Sequence, residues 1–134
     1  MTNDARMKYS SGSAWEPLVG YSRVVKCGNI IEVSGTVAAT ADGSAVHKGD
    51  AYAQTVFILH KIEAALHEAG ASLAQVTRTR MFVTDISRWQ EYGRAHGEFF
   101  GTIRPCTSMI GISALVDPDC LIEIEATAVI SSPS

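Results

Sequence analysis

The sequence has no run of lysine or arginine, no C-x-x-C pair and no long apolar stretch. Each absence excludes something. Its 11 basic residues are scattered among 14 acidic ones for a net charge of -3, so a broad basic face for nucleic acid is not expected. Cys27, Cys106 and Cys120 are odd in number and lack metal or redox spacing. They suit the reduced thiols of an intracellular protein better than a secreted disulfide framework. No apolar run reaches the roughly 18 residues a membrane span needs, and the opening MTNDARMKYSSGSAW lacks the apolar core of a signal peptide. The expectation is a cytoplasmic chain with neither membrane nor nucleic acid as partner. Fingerprints of nucleophile-elbow hydrolases, P-loops and dinucleotide-binding folds are missing as well.

What is there fits one domain over residues 1–134, long enough to bury a core without disulfides or a structural metal. Residues 1–17 are polar and serine-rich and read as a partly mobile arm ending at Pro17. From Val19 to Val25 apolar and polar residues alternate as in a strand, with Tyr21 and Arg23 on one face. Gly28-Asn29 then reads as a hairpin turn into a second strand, Ile30 to Val37. Thr55, Val56, Leu59, Ile62, Leu66 and Ala69 recur at helical spacing over 51–69, and Gly70 stops that helix. Thr77 to Thr84 reads as a strand. Asp85 or Ser87 caps a second helix with the stripe Trp89, Tyr92, His96, Phe99 and Phe100. The stretch CTSMIGISALVDPDCLIEIEATAVI reads as two further strands joined by a turn. Strands interleaved with two helices predict an α+β fold, a sheet with both helices on one face.

The last strand poses the functional question. Ile122, Ile124, Ala126, Ala128 and Ile130 share one face, which is core. Glu123 and Glu125 share the other with Leu121, Thr127 and Val129. That outer face is too apolar for solvent alone, and burial against a second copy of the chain is the natural resolution. Other candidates carry less. His60 and His67 lie seven apart on the first helix without a completing ligand set, and read as solvent-facing. His96 reads as a packed, hydrogen-bonded residue at the edge of the core. Cys106 reads as a small core residue, and Ser34-Gly35 as a place of tight strand packing.

Four ordered blocks, GYSRVVKCGNIIEVSGT, AGASLAQVTRTRMFVTDI, RPCTSMIGI and LIEIEATAV, together resemble the Rid family, also called YjgF or L-PSP proteins. The resemblance covers about Tyr21 to Ile130. It implies a chorismate-mutase-like fold, a homotrimer and small-molecule sites in clefts between subunits. For its best-known branch it implies hydrolysis of reactive enamines and imines without metal or organic cofactor. Tyr21 matches the family's cleft tyrosine, Ser34 and Gly35 the small pair lining the pocket, and Glu123 the acidic residue that positions water. The family's carboxylate-clamping arginine falls in a P-A-R-S/T segment. Here that segment is Pro105-Cys106-Thr107-Ser108, with Thr107 in the arginine's place. Gly93 falls about where the imine-hydrolysing branch has an asparagine.

Threonine offers one neutral donor where arginine offers a charged, two-point fork. The usual 2-imino acid deaminase activity is therefore expected to be very slow or absent. What remains is a protein that binds or hydrolyses a small enamine, imine or carbonyl metabolite. A non-catalytic metabolite sensor or partner-binding trimer is the alternative. Arg23, two residues beyond Tyr21, is the candidate to replace the missing charge, or else a partner for Glu123 or Glu125. Arg104 is a second candidate, read more simply as a surface-loop arginine.

Overall fold

The structure, a computed structural model, describes residues 6–131. Its elements run β1 (Met7–Tyr9), α1 (Trp15–Val19), β2 (Val24–Cys27), β3 (Ile30–Val37), α2 (Ala51–Glu68), β4 (Val76–Val83), α3 (Trp89–Phe100), β5 (Cys106–Gly111) and β6 (Ile122–Val129). The six strands form one mixed sheet in the order β1-β2-β3-β6-β4-β5. All pairs are antiparallel except β4 with β5.

The α+β sheet with two main helices stands as expected. Three local expectations are corrected. The stretch after Pro17 does not begin a strand: Trp15–Val19 is a single helical turn, ended by Gly20 in the left-handed region (φ 93°), whose N–H meets Glu16 O at 2.8 Å. Pro17 is tolerated there because a first-turn residue needs no helical N–H partner. The serine-rich arm contains β1, paired with β2 from Met7↔Lys26 to Tyr9↔Val24; residues 1–5 lie outside the described residues. Finally, β5 and β6 are not hairpin neighbours. β4 lies between them, because β5 returns parallel to β4 through α3.

Asp50 caps α2 by accepting from Ala53 N at 2.9 Å, and Gly70 (φ 89°) takes the left-handed conformation that lets the chain leave it. The inner stripe of α2, with Ile58, Leu59, Ile62 and Leu66 buried, packs on β3 and β6 against Ile31, Val33, Ile122 and Ile124. Each fully buried Ile or Leu side chain contributes about 1.5–3 kcal/mol. Val56 is only half-buried, and Ile58, outside the expected stripe, is fully so. From α3, Tyr92, Ala95, His96 and Phe100 complete the core, while Trp89 is exposed.

Two irregularities matter for the site. Val33 pairs with Ala126 and Thr36 with Ile124, so β3 carries one extra residue, a bulge at Ser34-Gly35. β4 carries another between Val76 and Arg78.

Candidate functional site

A cavity of about 520 Å³ opens at the end of the sheet where β3, β6, the α1 turn and the 115–120 loop converge. Its walls include Tyr21, Arg23, Gly35, Lys61, Cys120 and Glu123. Tyr21 and Arg23 reach it together although residues 21–23 are not strand, because the α1 turn delivers them from the side.

The bulge sets the geometry. Arg23 Nη1 donates to Gly35 O at 2.7 Å and more weakly to Ser34 O at 3.4 Å and Thr36 Oγ1 at 3.3 Å. Its Nη2 lies 3.5 Å from Tyr21 Oη, with the guanidinium 5.6 Å from the tyrosine ring centre. Ser34 Oγ donates to Ser22 O at 2.7 Å, and Thr36 Oγ1 to Ser34 O at 2.8 Å. The guanidinium thus fills the carbonyl acceptors that the bulge leaves outside the ladder. Neither Glu123 nor Glu125 forms an ion pair with Arg23; Glu125 pairs instead with Arg80 at 3.3 Å, in solvent.

Glu123 stands on the neighbouring strand, half-buried, against Gly35. Burial pushes its carboxyl above the usual range, with Glu125 adding to the rise and the Arg23 charge opposing it. A carboxyl so placed holds and returns a proton more readily near neutrality than an exposed glutamate.

The remaining walls are fixed by buried polar side chains. Gln54, fully buried on α2, donates to Val46 O at 3.1 Å and Asp119 O at 2.9 Å and accepts from Leu121 N at 2.8 Å. It ties the 115–121 loop to the helix just before Glu123. Glu16, also buried, accepts from Ser11 N at 3.0 Å and Ser11 Oγ at 2.5 Å. Burial opposes its ionisation, but these bonds, Ser10 and the Arg23 charge together hold its carboxyl below the usual range. Lys61 reaches from α2 to donate to Val37 O at 3.1 Å and Ala39 O at 3.0 Å. Burial, then the Arg23 charge, lowers its pKa. Cys120 is a buried free thiol whose pKa is raised by burial and by nearby carboxylates.

The other expected residues lie elsewhere. Ser34 lines a separate depression of about 290 Å³ on the sheet's outer face, with Arg78, Arg80 and Glu125. Thr107 sits on edge strand β5, paired with Thr79, and does not line the larger cavity of its own chain. Its Oγ1 accepts from Thr79 Oγ1 at 2.7 Å, and Thr79 Oγ1 lies 2.8 Å from His96 Nε2. His96 is the buried, hydrogen-bonded residue expected, and burial lowers its pKa. Cys106 is exposed rather than core, because its edge strand has a neighbour on one side only. Arg104 is a surface residue with φ 58°. Among the described residues no group of three or more His, Cys, Asp or Glu side chains is arranged to hold a metal, and His60 is exposed beside Glu63.

Gln54 and Lys61 are invisible to sequence reasoning. Each reads as an ordinary polar residue on a helix, and only the tertiary fold turns them toward backbone acceptors.

Comparison with known proteins bears on this geometry. Residues 11–130 match the family described as Endoribonuclease L-PSP. The 3-aminoacrylate deaminase RutC of Acinetobacter baylyi is 37% identical over 112 residues, 84% of this chain and 88% of that one. An uncharacterized protein of Streptomyces coelicolor is 33% identical over 128 residues, 96% and 95% of the two chains. The crystal structure of Rv2704 from Mycobacterium tuberculosis, a member of the YjgF/YER057c/UK114 family, is 48% identical. It superposes with a TM-score of 0.85, over 94% of this chain and 100% of that one.

Proposed function

Because the chain belongs to the Endoribonuclease L-PSP family, also known as Rid or YjgF, we propose that its larger cavity hydrolyses a small enamine or imine to a carbonyl compound and ammonia. One observation carries this reading: Glu123 is a half-buried carboxyl of raised pKa, facing a cavity of small-metabolite size. The Acinetobacter relative's enamine substrate, named in 3-aminoacrylate deaminase, supports the substrate class.

The chemistry asks little of the protein. As water adds to the imine carbon, its proton passes to the Glu123 carboxylate and the C=N electron pair goes to nitrogen, which takes up a proton from solvent. The carbinolamine then collapses to C=O as its hydroxyl proton leaves to solvent, while the carboxyl returns its proton to the departing nitrogen, which leaves as ammonia. An enamine enters the same path after protonation at carbon. Tyr21 and the guanidinium of Arg23 border the reacting group, and Gly35 gives the carboxyl its room.

The site is proposed to be completed in a homotrimer. Ile30, Ile110 and Val129 are exposed and Val25 and Phe82 half-buried on the outer sheet face, an apolar surface of the kind that marks an interface. Neighbouring copies would bring Thr107 of one chain toward the cavity of the next. Light scattering should give three times the 14.3 kDa chain mass; a monomer at micromolar concentration overturns this part. The acidic balance and scattered basic residues favour a metabolite over RNA.

The test is ammonia release from 2-iminopropionate generated in situ by an amino-acid oxidase, against spontaneous hydrolysis. Acceleration that Glu123→Gln reduces by about 10²–10⁴, the usual contribution of a general acid–base group, supports the reading. No acceleration with this or a neutral imine overturns it and favours a non-catalytic binding protein.

A further inference from the structure

The cavity holds two cations without carboxylate partners. Neither Arg23 nor Lys61 forms an ion pair among the described residues. Arg23 is anchored through Nη1 to three acceptors at the bulge, and its Nη2 lies 3.5 Å from Tyr21 Oη. Lys61 is held differently. An ammonium has three donors, and only two are used, toward Val37 O and Ala39 O where β3 ends. The residue is half-buried and lines the cavity. Drawing an ammonium partly out of water is costly, and a nearby negative charge offsets that cost.

We infer that Lys61 is the anion-binding residue of this cavity, its third N–H receiving the carboxylate of a small carboxylate-bearing substrate beside the Arg23 guanidinium. The two strand carbonyls orient the ammonium, so little is lost in fixing it when the ligand arrives. An anion would also relieve the repulsion between the two cations, which adds to burial in lowering the Lys61 pKa. The clamp would then come from helix α2 and not from the β5 segment that carries Thr107. It is a point charge rather than a planar fork, so it selects for negative charge more than for carboxylate geometry. This inference deepens the proposed function and rests on the same cavity being the substrate site.

Pyruvate and its neutral amide, pyruvamide, are suitable probes, titrated into the full-length protein by calorimetry or NMR. Wild type should bind pyruvate more tightly than pyruvamide. Lys61→Met should weaken pyruvate at least tenfold and leave pyruvamide within twofold, and Lys61→Arg should recover most of the pyruvate affinity. If Lys61→Met does not fold, by its melting curve, Lys61→Gln takes its place, since it retains a donor for one strand carbonyl. Pyruvate binding within twofold of wild type in the neutral variant overturns the inference. So does equal loss of both probes, which would make Lys61 a prop for the strand end, and so does a wild type with no preference for the anion. The two readings fail separately. Lys61-dependent pyruvate binding without imine turnover leaves this inference standing and removes catalysis. Imine acid turnover unchanged in the neutral variant does the reverse.

Discussion

Gly35 lies so close to Glu123 that no side chain fits between them: a Cβ built on the glycine would stand 2.6 Å from Glu123 Cδ and 3.0 Å from Cγ. The glycine's φ is not in the left-handed region. Its demand is therefore for space rather than backbone freedom.

Gly35→Ala should accordingly spare the fold and damage the site. The atoms in the way belong to the end of a glutamate side chain, which can swing aside. Turnover is expected to fall toward that of Glu123→Gln, while the melting temperature shifts by only a few degrees, as for about 1 kcal/mol in a domain of this size. Unimpaired turnover in the alanine variant would show that the carboxyl does not need its present position.

Glu123 also leaves a mark on stability. Its folded-state pKa is raised, so between the unfolded and folded values the native state binds more protons than the unfolded chain. Wild-type stability should fall as pH rises through that window, and Glu123→Gln should escape the loss. The melting-temperature gap between the two should widen in favour of Glu123→Gln from acid toward neutral pH. A constant gap would mean that the carboxyl is not perturbed by burial.

Arg23→Ala removes the donor that fills the bulge carbonyls. Hydrogen bonds to a charged group contribute about 1.5–3 kcal/mol, and denaturant titration should register a loss of that size along with lost turnover. Arg23→Lys should recover part, since an ammonium cannot reach the bulge acceptors and Tyr21 together. Full stability with lost ligand affinity would reassign the guanidinium from the bulge to the ligand.

Gln54→Leu is nearly the same size but leaves Val46 O, Asp119 O and Leu121 N without their partner. Buried unsatisfied groups cost about 1–3 kcal/mol each; with partial rescue by water the expected destabilisation is about 2–4 kcal/mol. Hydrogen exchange should quicken at Leu121 before the sheet is affected, and unchanged protection there would contradict the loop-anchoring role.

How far the chain could be read from its residues depended on period. The two-residue alternation of β6 and the helical stripe of α2 were plain because each element buries one face. The side on which Glu123 and Glu125 stand was legible for the same reason, but alternation does not tell the two apart, and only the family resemblance singled out Glu123. The α1 turn was not, since Val19, Tyr21, Arg23 and Val25 alternate like a strand, and a single helical turn is too short to show its own period. The separation of Thr107 from Glu123 within one chain was hidden too, because strand order across a sheet is a long-range property. Lys61 escaped notice because the carbonyls that hold it lie more than twenty residues away in sequence.

The bulge at Ser34-Gly35 has one more effect, on the parity of the strand. Before it the odd-numbered Ile31 and Val33 face the helices; after it the even-numbered Thr36 and Ala38 do. Two consecutive residues therefore look outward, and they look into different compartments, Ser34 into the depression on the sheet face and Gly35 into the larger cavity. The extra residue changes the strand's phase, and deleting one residue there would misphase the strand's far end relative to the core. Among sequences of this fold, the spacing between the Gly-Asn turn and Glu123's glycine should tolerate insertion or deletion less than any loop does, even where the residues themselves vary.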